Sequence, residues 1–356
     1  MFEKIKDLKT YEAGKPIELV VREYGIKPEE IIKLASNENP YGPSPKVIEE
    51  VKSKAHLMHR YPDDSFYELK EGLSKKFGLN AENFIIGAGS DQVLEFAVHG
   101  IYPSRVLMAG ITFAMYEIYS KQVGAEILKT SSKEHNLKEF YDMYKEYKPE
   151  IIFLCVPNNP LGECLDADDV YDFIEKVDSQ TLIIVDGAYQ EFASFKDSKK
   201  ALDVKKLTDY PNVLYTGTFS KAYGLGGMRV GYGVANKEII KNLHKLRPPF
   251  NITTLSLAAA VKALKDEEWV SKGIKNNFKE MEKYISFAKE KGIEYIESYT
   301  NFIVLFIENS KEISNKLLKK GIIVRDMSSY GFDAIRITIG KPEENDKVID
   351  ILREIS

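Results

Sequence analysis

Two runs constrain this chain more than any other feature: Ile151-Ile152-Phe153-Leu154-Cys155-Val156 and Thr181-Leu182-Ile183-Ile184-Val185-Asp186. Each is apolar on both side-chain parities, so each must be covered on both faces, as at the centre of a parallel sheet flanked by helices. Between them, the stretch 168–174 reads as a crossover helix with acidic residues in its first turn. Further candidate strands at 105–109, 126–130 and 212–217 continue the strand–helix alternation, which makes the fold class α/β. After Pro248-Pro249-Phe250 the texture changes. A long charge-laced helical region runs from about Thr254 to Gly292, followed by strands at 302–307, 322–325 and 334–339 and helices at 310–320 and 344–354. The expected organisation is a polar N-terminal arm (1–45), a large domain (46–250) and a smaller α+β domain (251–356) that includes the long helix as its bridge.

Composition narrows the function. With 50 Lys plus Arg against 54 Asp plus Glu, the net charge is −4, and no basic stripe offers a footprint for nucleic acid. Small molecules are the expected partners. Cys155 and Cys164 match neither a CxxC motif nor a disulfide framework and read as reduced thiols. The five histidines lack ligand spacing, so no metal site is expected. No stretch has the length and apolarity of a secretion signal or membrane span, and the expected location is the cytoplasm. The runs Tyr116/Tyr119 and Phe140/Tyr141/Tyr144/Tyr147 recur at near-helical spacing, which reads as packed helix faces.

Four strings carry chemistry. In Thr216-Gly217-Thr218-Phe219-Ser220-Lys221-Ala222-Tyr223-Gly224-Leu225-Gly226-Gly227-Met228-Arg229, an amine follows a strand and lies among hydroxyls, glycines and a guanidinium. That set suits a Schiff-base lysine beside a bound phosphate, or else a glycine-rich turn with a solvated lysine. In Asp186-Gly187-Ala188-Tyr189 the carboxylate ends a buried strand, where it faces the ligand crevice of an α/β sheet or caps the next loop. Pro157-Asn158-Asn159-Pro160 makes a rigid turn that holds an amide at the same edge. Gly87-Ala88-Gly89-Ser90-Asp91-Gln92 leads into a helix whose first N–H groups form an anion site.

Taken in order, with the aromatic stretch 112–116 between them, these strings resemble the class I and II aminotransferases, fold type I enzymes dependent on pyridoxal phosphate. The resemblance runs nearly end to end. It includes Leu34-Ala35-Ser36-Asn37-Glu38-Asn39-Pro40-Tyr41-Gly42, Arg60-Tyr61-Pro62-Asp63, Val324-Arg325-Asp326 and Arg336-Ile337-Thr338-Ile339-Gly340. It implies a large domain with a mostly parallel sheet plus a smaller domain, and transfer of an amino group between histidinol phosphate and 2-oxoglutarate, with glutamate as the other product, in histidine biosynthesis. By the same resemblance Lys221 bonds the cofactor and moves the proton. Asp186 pairs with the ring nitrogen, Tyr189 and Asn159 bond the ring oxygen, and Phe113 stacks on the ring. Ser90, Asp91, Thr218, Ser220 and Arg229 hold the cofactor phosphate, joined by Tyr61 from a neighbouring subunit of a homodimer. Arg336 binds the substrate α-carboxylate, and Arg325 binds the substrate phosphate or side-chain carboxylate. Tyr11 and Asn37 assist from the arm.

The chain departs from the family pattern at Leu161 and Gly187, where changed packing is expected. Alternatives within the same fold are a decarboxylase of a phosphorylated amino acid and a broad aromatic aminotransferase. An alternative of another class is a non-catalytic cofactor-binding regulator, but the arm is too short and too weakly basic to supply a DNA-binding segment.

Overall fold

A computed structural model describes residues 17–355. Residues 17–45 include a short helix, Ile17–Tyr24, and strand β1 (Ile32–Lys33). The large sheet consists of β2 (Phe84–Gly87), β3 (Arg105–Met108), β4 (Glu126–Lys129), β5 (Ile151–Cys155), β6 (Leu182–Asp186), β7 (Val213–Thr218) and β8 (Gly231–Ala235). The C-terminal part adds β9 (Glu294–Tyr295), β10 (Phe302–Phe306), β11 (Ile322–Ile323), β12 (Arg325–Asp326) and β13 (Ile335–Thr338).

The large sheet has the order β2-β8-β7-β6-β5-β3-β4. Its doubly apolar strands lie at the centre, as their sequences require. Ile152, Leu154, Ile183, Val185 and Val213 enter one core, while Ile151, Phe153, Leu182, Ile184 and Leu214 enter the core on the opposite face. Strand β8 runs antiparallel to both β2 and β7. Its N-terminal end therefore lies beside the carboxyl ends of the other strands, which is where an α/β sheet binds ligands. One reversed strand thus brings Arg229, two residues before β8, to the same edge as Asp186 and Lys221.

Three readings of the sequence are corrected. The long helix is two helices, Thr254–Ala263 and Glu267–Lys291. The break is at Asp266, which sits outside helical geometry and accepts Lys46 Nζ at 2.8 Å. The run at 322–325 is split: β11 pairs with β1, while β12 pairs with β13. The segment expected as a polar arm also joins the cores. Val20, Leu34 and Ala35 are buried, and Leu34 packs in the C-terminal core with Ile303 and Ile337. Its few apolar residues are spaced too irregularly to announce an element.

Glycine 231 starts β8 against the loop that opens the helix Ser90–Ile101. A Cβ at this position would collide with the backbone of Gly89 and Ser90. Gly231→Ala is therefore expected to lose about 1–3 kcal/mol of stability through backbone overpacking. Equilibrium denaturation would show a lower midpoint, whereas an unchanged midpoint would contradict the packing described.

Candidate active site

The carboxyl edge of the large sheet holds a crevice of about 530 Å³, counting its open mouth, within the size range of small-molecule sites. Its lining includes Ser90, Asp91, Phe113, Asn159, Asp186, Tyr189, Thr218, Ser220, Lys221 and Arg229. Residues from all four sequence strings and from the aromatic stretch are thus brought together.

Asp186 ends β6 and is 3% exposed. Tyr116 Oη donates to its Oδ2 at 2.7 Å, while Thr216 Oγ1 and the Ala188 N–H donate to Oδ1 at 3.0 and 3.1 Å. Burial pushes its carboxyl pKa up, and these donors oppose that shift. Tyr116 belongs to the helix Ala114–Gln122, where the Tyr116/Tyr119 spacing reads as packing. It does pack, stacked at 4.6 Å on Phe153, but its hydroxyl also serves the site. The signal was its position one helical turn from Phe113, with which it makes an edge contact at 5.5 Å.

The amine and the oxyanion donors lie on the loop after β7. Lys221 Nζ donates to the Ser36 carbonyl at 3.3 Å. Enclosure and the positive charge of Arg336 lower its pKa to about 8. Thr218 Oγ1 donates to Ser220 Oγ at 3.0 Å, and Arg229 Nη1 reaches that same hydroxyl at 3.4 Å. Arg229 Nη2 lies 3.4 Å from Asp91 Oδ2. The Asp91 carboxylate thus orients the guanidinium, and its own contribution to an anion is the backbone N–H in the first turn of the helix Ser90–Ile101. A Cβ at Gly89 would lie 2.7 Å from Arg229 Nη2, so glycine is what lets the guanidinium approach this helix end.

The two ring-oxygen candidates are oriented by Arg336 of the C-terminal sheet and by Asn37 of the N-terminal segment. Arg336 Nη1 donates to Asn159 Oδ1 at 2.6 Å, which leaves the amide NH2 as the group able to donate into the crevice. Asn37 Nδ2 donates to Tyr189 Oη at 2.9 Å, so the tyrosine keeps its own proton for donation. Burial raises the pKa of this phenol. Asn37 itself adopts a left-handed φ of 56° and is fixed by Thr338 Oγ1, which accepts from its N–H at 3.0 Å. Arg336 is buried, donates through Nη2 to the Ala35 carbonyl at 2.9 Å and lies over the Phe302 ring. Arg325 is its register partner on β12, which places the two arginines on one face of the sheet.

Other residues lie elsewhere or play another part. Tyr61 is outside its own chain's crevice, 80% exposed and stacked at 4.5 Å on Phe250. Tyr11 falls outside the described residues. Leu161 is fully buried, and at Gly187 a side chain would collide with the Tyr215 ring. Among the described residues no cluster could hold a metal, and no helix is long and apolar enough to cross a membrane.

Comparison with known proteins gives the family. The family model for aminotransferase class I and II matches residues 29–352. The chain belongs to the class I and II aminotransferases. A histidinol-phosphate aminotransferase of Aliarcobacter butzleri is 61% identical, with 99% of this chain and 98% of the relative covered. That of Wolinella succinogenes is 60% identical, with 98% and 97% covered. Among solved structures, the histidinol-phosphate aminotransferase of Sinorhizobium meliloti in complex with pyridoxal-5'-phosphate superposes on this aminotransferase with a TM-score of 0.90 at 24% identity, covering 100% of this chain and 98% of the other.

The lowered pKa of Lys221 gives a signed prediction. The unfolded chain holds this proton up to its ordinary value of 10.5, whereas the folded, cofactor-free enzyme releases it at about 8. Between these values the unfolded state binds more protons, so this residue makes stability rise with pH across that window. Site-resolved labelling by an amine-acylating reagent should show a midpoint near 8 at Lys221, and Lys221→Met should flatten the stability rise. A labelling midpoint above 10 would contradict the enclosure.

Proposed function

We propose that this aminotransferase moves an amino group between L-histidinol phosphate and 2-oxoglutarate, giving imidazole acetol phosphate and glutamate, with pyridoxal 5'-phosphate as cofactor. The close relatives bear that activity in their names. The observation that carries the reading onto this chain is the arginine pair. Arg336 contacts Asn159 in the crevice wall and lowers the pKa of Lys221, while Arg325 stands opposite it on the same sheet face. Anion recognition thus sits beside a reactive amine.

The residues suit the cofactor. Hydroxyls of Thr218 and Ser220, N–H groups at the helix start Ser90-Asp91 and the Arg229 guanidinium form a cup for a phosphate dianion. Asp186 is buried against three neutral donors, an arrangement that a cationic ring nitrogen completes. Asn159 and Tyr189 donate to the ring oxygen, and Phe113 covers a ring face. Pyridoxal phosphate held there would supply an electron-withdrawing ring conjugated to the substrate nitrogen once the substrate amine has taken the place of Lys221.

The chain's own groups do the rest. Lys221 Nζ would act first as the base that takes the proton from the substrate carbon bearing nitrogen and then, protonated, as the acid that gives it back. In the cofactor-free protein enclosure and Arg336 already bring this amine down to about 8, toward the range where an amine can both accept and donate a proton. Asp186 keeps the ring nitrogen protonated by remaining ionised. Arg336 grips the α-carboxylate of glutamate. Arg325 receives the phosphate of one substrate or the distal carboxylate of the other, so one pocket serves two unlike partners in alternating half-reactions. The working unit in this reading is a homodimer. The exposed Tyr61 reaches the partner's cofactor phosphate, and Phe250 braces its ring.

Purified protein supplied with pyridoxal phosphate, histidinol phosphate and 2-oxoglutarate should form glutamate. Lys221→Ala should lower that rate by about a thousandfold or more. Arg325→Gln should raise KM for histidinol phosphate and for 2-oxoglutarate together, each by about tenfold or more, because one charge-assisted contact is lost from both. Absence of glutamate would overturn the assignment of substrates, and an Arg325→Gln effect on one substrate alone would overturn the shared pocket.

A further inference from the structure

Below the crevice lies a buried polar network that no step above uses. His135, with a side chain only 1% exposed, accepts the Cys155 N–H at its Nε2 (3.4 Å). That bond places the proton of the neutral ring on Nδ1, which donates to Glu163 Oε1 at 3.1 Å. The same oxygen accepts Asn158 Nδ2 at 2.7 Å and the His135 N–H at 3.3 Å. Glu163 Oε2 is buried with no hydrogen-bond partner among the described residues. Burying a carboxylate in this way is costly, which sets the network apart from ordinary core packing.

Its connections lead to the site from two sides. The Asn158 N–H donates to the Glu163 carbonyl at 2.8 Å, and the Gly162 N–H donates to the Asn158 carbonyl at 2.9 Å, closing a loop that contains Asn159. The Asn158 side chain, itself fully buried, donates also to the Ile111 carbonyl at 2.9 Å and accepts Thr112 Oγ1 at 3.0 Å. Thr112 precedes Phe113. One buried amide therefore ties the Asn159 turn to the segment that presents Phe113.

We propose that His135, Glu163 and Asn158 form a positioning unit that fixes Asn159 against the cofactor's ring oxygen and Phe113 against its face. The proposal rests on the cofactor reading above. Glu163 works as an acceptor: its Oε1 receives the Asn158 amide and two His135 N–H groups and so holds Asn158 in the single orientation that satisfies both sides. None of the three residues is a catalytic residue in this account.

The test loads wild-type and variant proteins with pyridoxal phosphate, then follows the pH titration of the bound cofactor's absorbance and its release rate after dilution. Losing the Asn159 donor leaves the ring oxygen more basic and favours the protonated form of the bound cofactor. Glu163→Ala should therefore shift the titration upward by about one pH unit and speed release by about tenfold. Glu163→Gln, which keeps an acceptor oxygen, should recover most of both effects. Thr112→Val, isosteric and mild enough to fold if Glu163→Ala is not, should shift both in the same direction by a smaller amount. Loading with wild-type titration and release in Glu163→Ala and Thr112→Val would overturn the positioning unit alone. Failure of the wild-type protein to take up pyridoxal phosphate would overturn the cofactor reading along with it.

Discussion

The site is organised around a carboxylate that the fold forces out of water. Asp186 ends a central strand that must be apolar on both faces, so its environment is dry by construction. Ionising it there is costly unless donors and a cation meet it. Tyr116, Thr216 and the Ala188 N–H supply the donors from the neighbouring helix, the neighbouring strand and the following loop. In the proposed function the cation is the ring nitrogen of the cofactor. Ligand binding and the burial of Asp186 are then two sides of one electrostatic requirement, and the central strands determine where the ligand lies.

The remaining contacts follow from two features of topology. Reversal of β8 brings Arg229 to the edge where the parallel strands end, and Gly231 allows the helix start at Ser90 to approach it. The second feature is the return of the N-terminal segment to the C-terminal sheet. The Leu34 carbonyl accepts the Thr338 N–H at 2.9 Å, and Asn37 reaches from there to Tyr189. Arg336 bridges in the same sense to Asn159. Arg336 on the small sheet, and Asn37 held by Thr338 of that sheet, thus orient both donors on the large one, and movement of one part relative to the other would be felt directly at the crevice.

Much of this was legible in the sequence because strong local patterns coincide with function. Apolar runs located β5 and β6, and the strings that follow them contain Asn159, Asp186 and Tyr189. Strands β2 and β8 escaped notice because FIIG and GYGVA are short, and their glycines serve tertiary approach that no local pattern encodes. Tyr116 was hidden by its double role, since its spacing reports only its packed face. His135 and Glu163 stand 28 positions apart and meet only through tertiary folding. The core role of the N-terminal segment is hidden in the sequence for a similar reason: β1 has just two residues, and its partner β11 lies almost three hundred positions away.

In the proposed function Asp186 keeps the cofactor's ring nitrogen protonated. The most direct measurement is nitrogen-15 NMR of the protein loaded with pyridoxal phosphate labelled at that nitrogen, compared with Asp186→Ala. A protonated-ring chemical shift is expected near neutral pH in the native protein and an unprotonated one in the variant. The same unprotonated shift in both would contradict it.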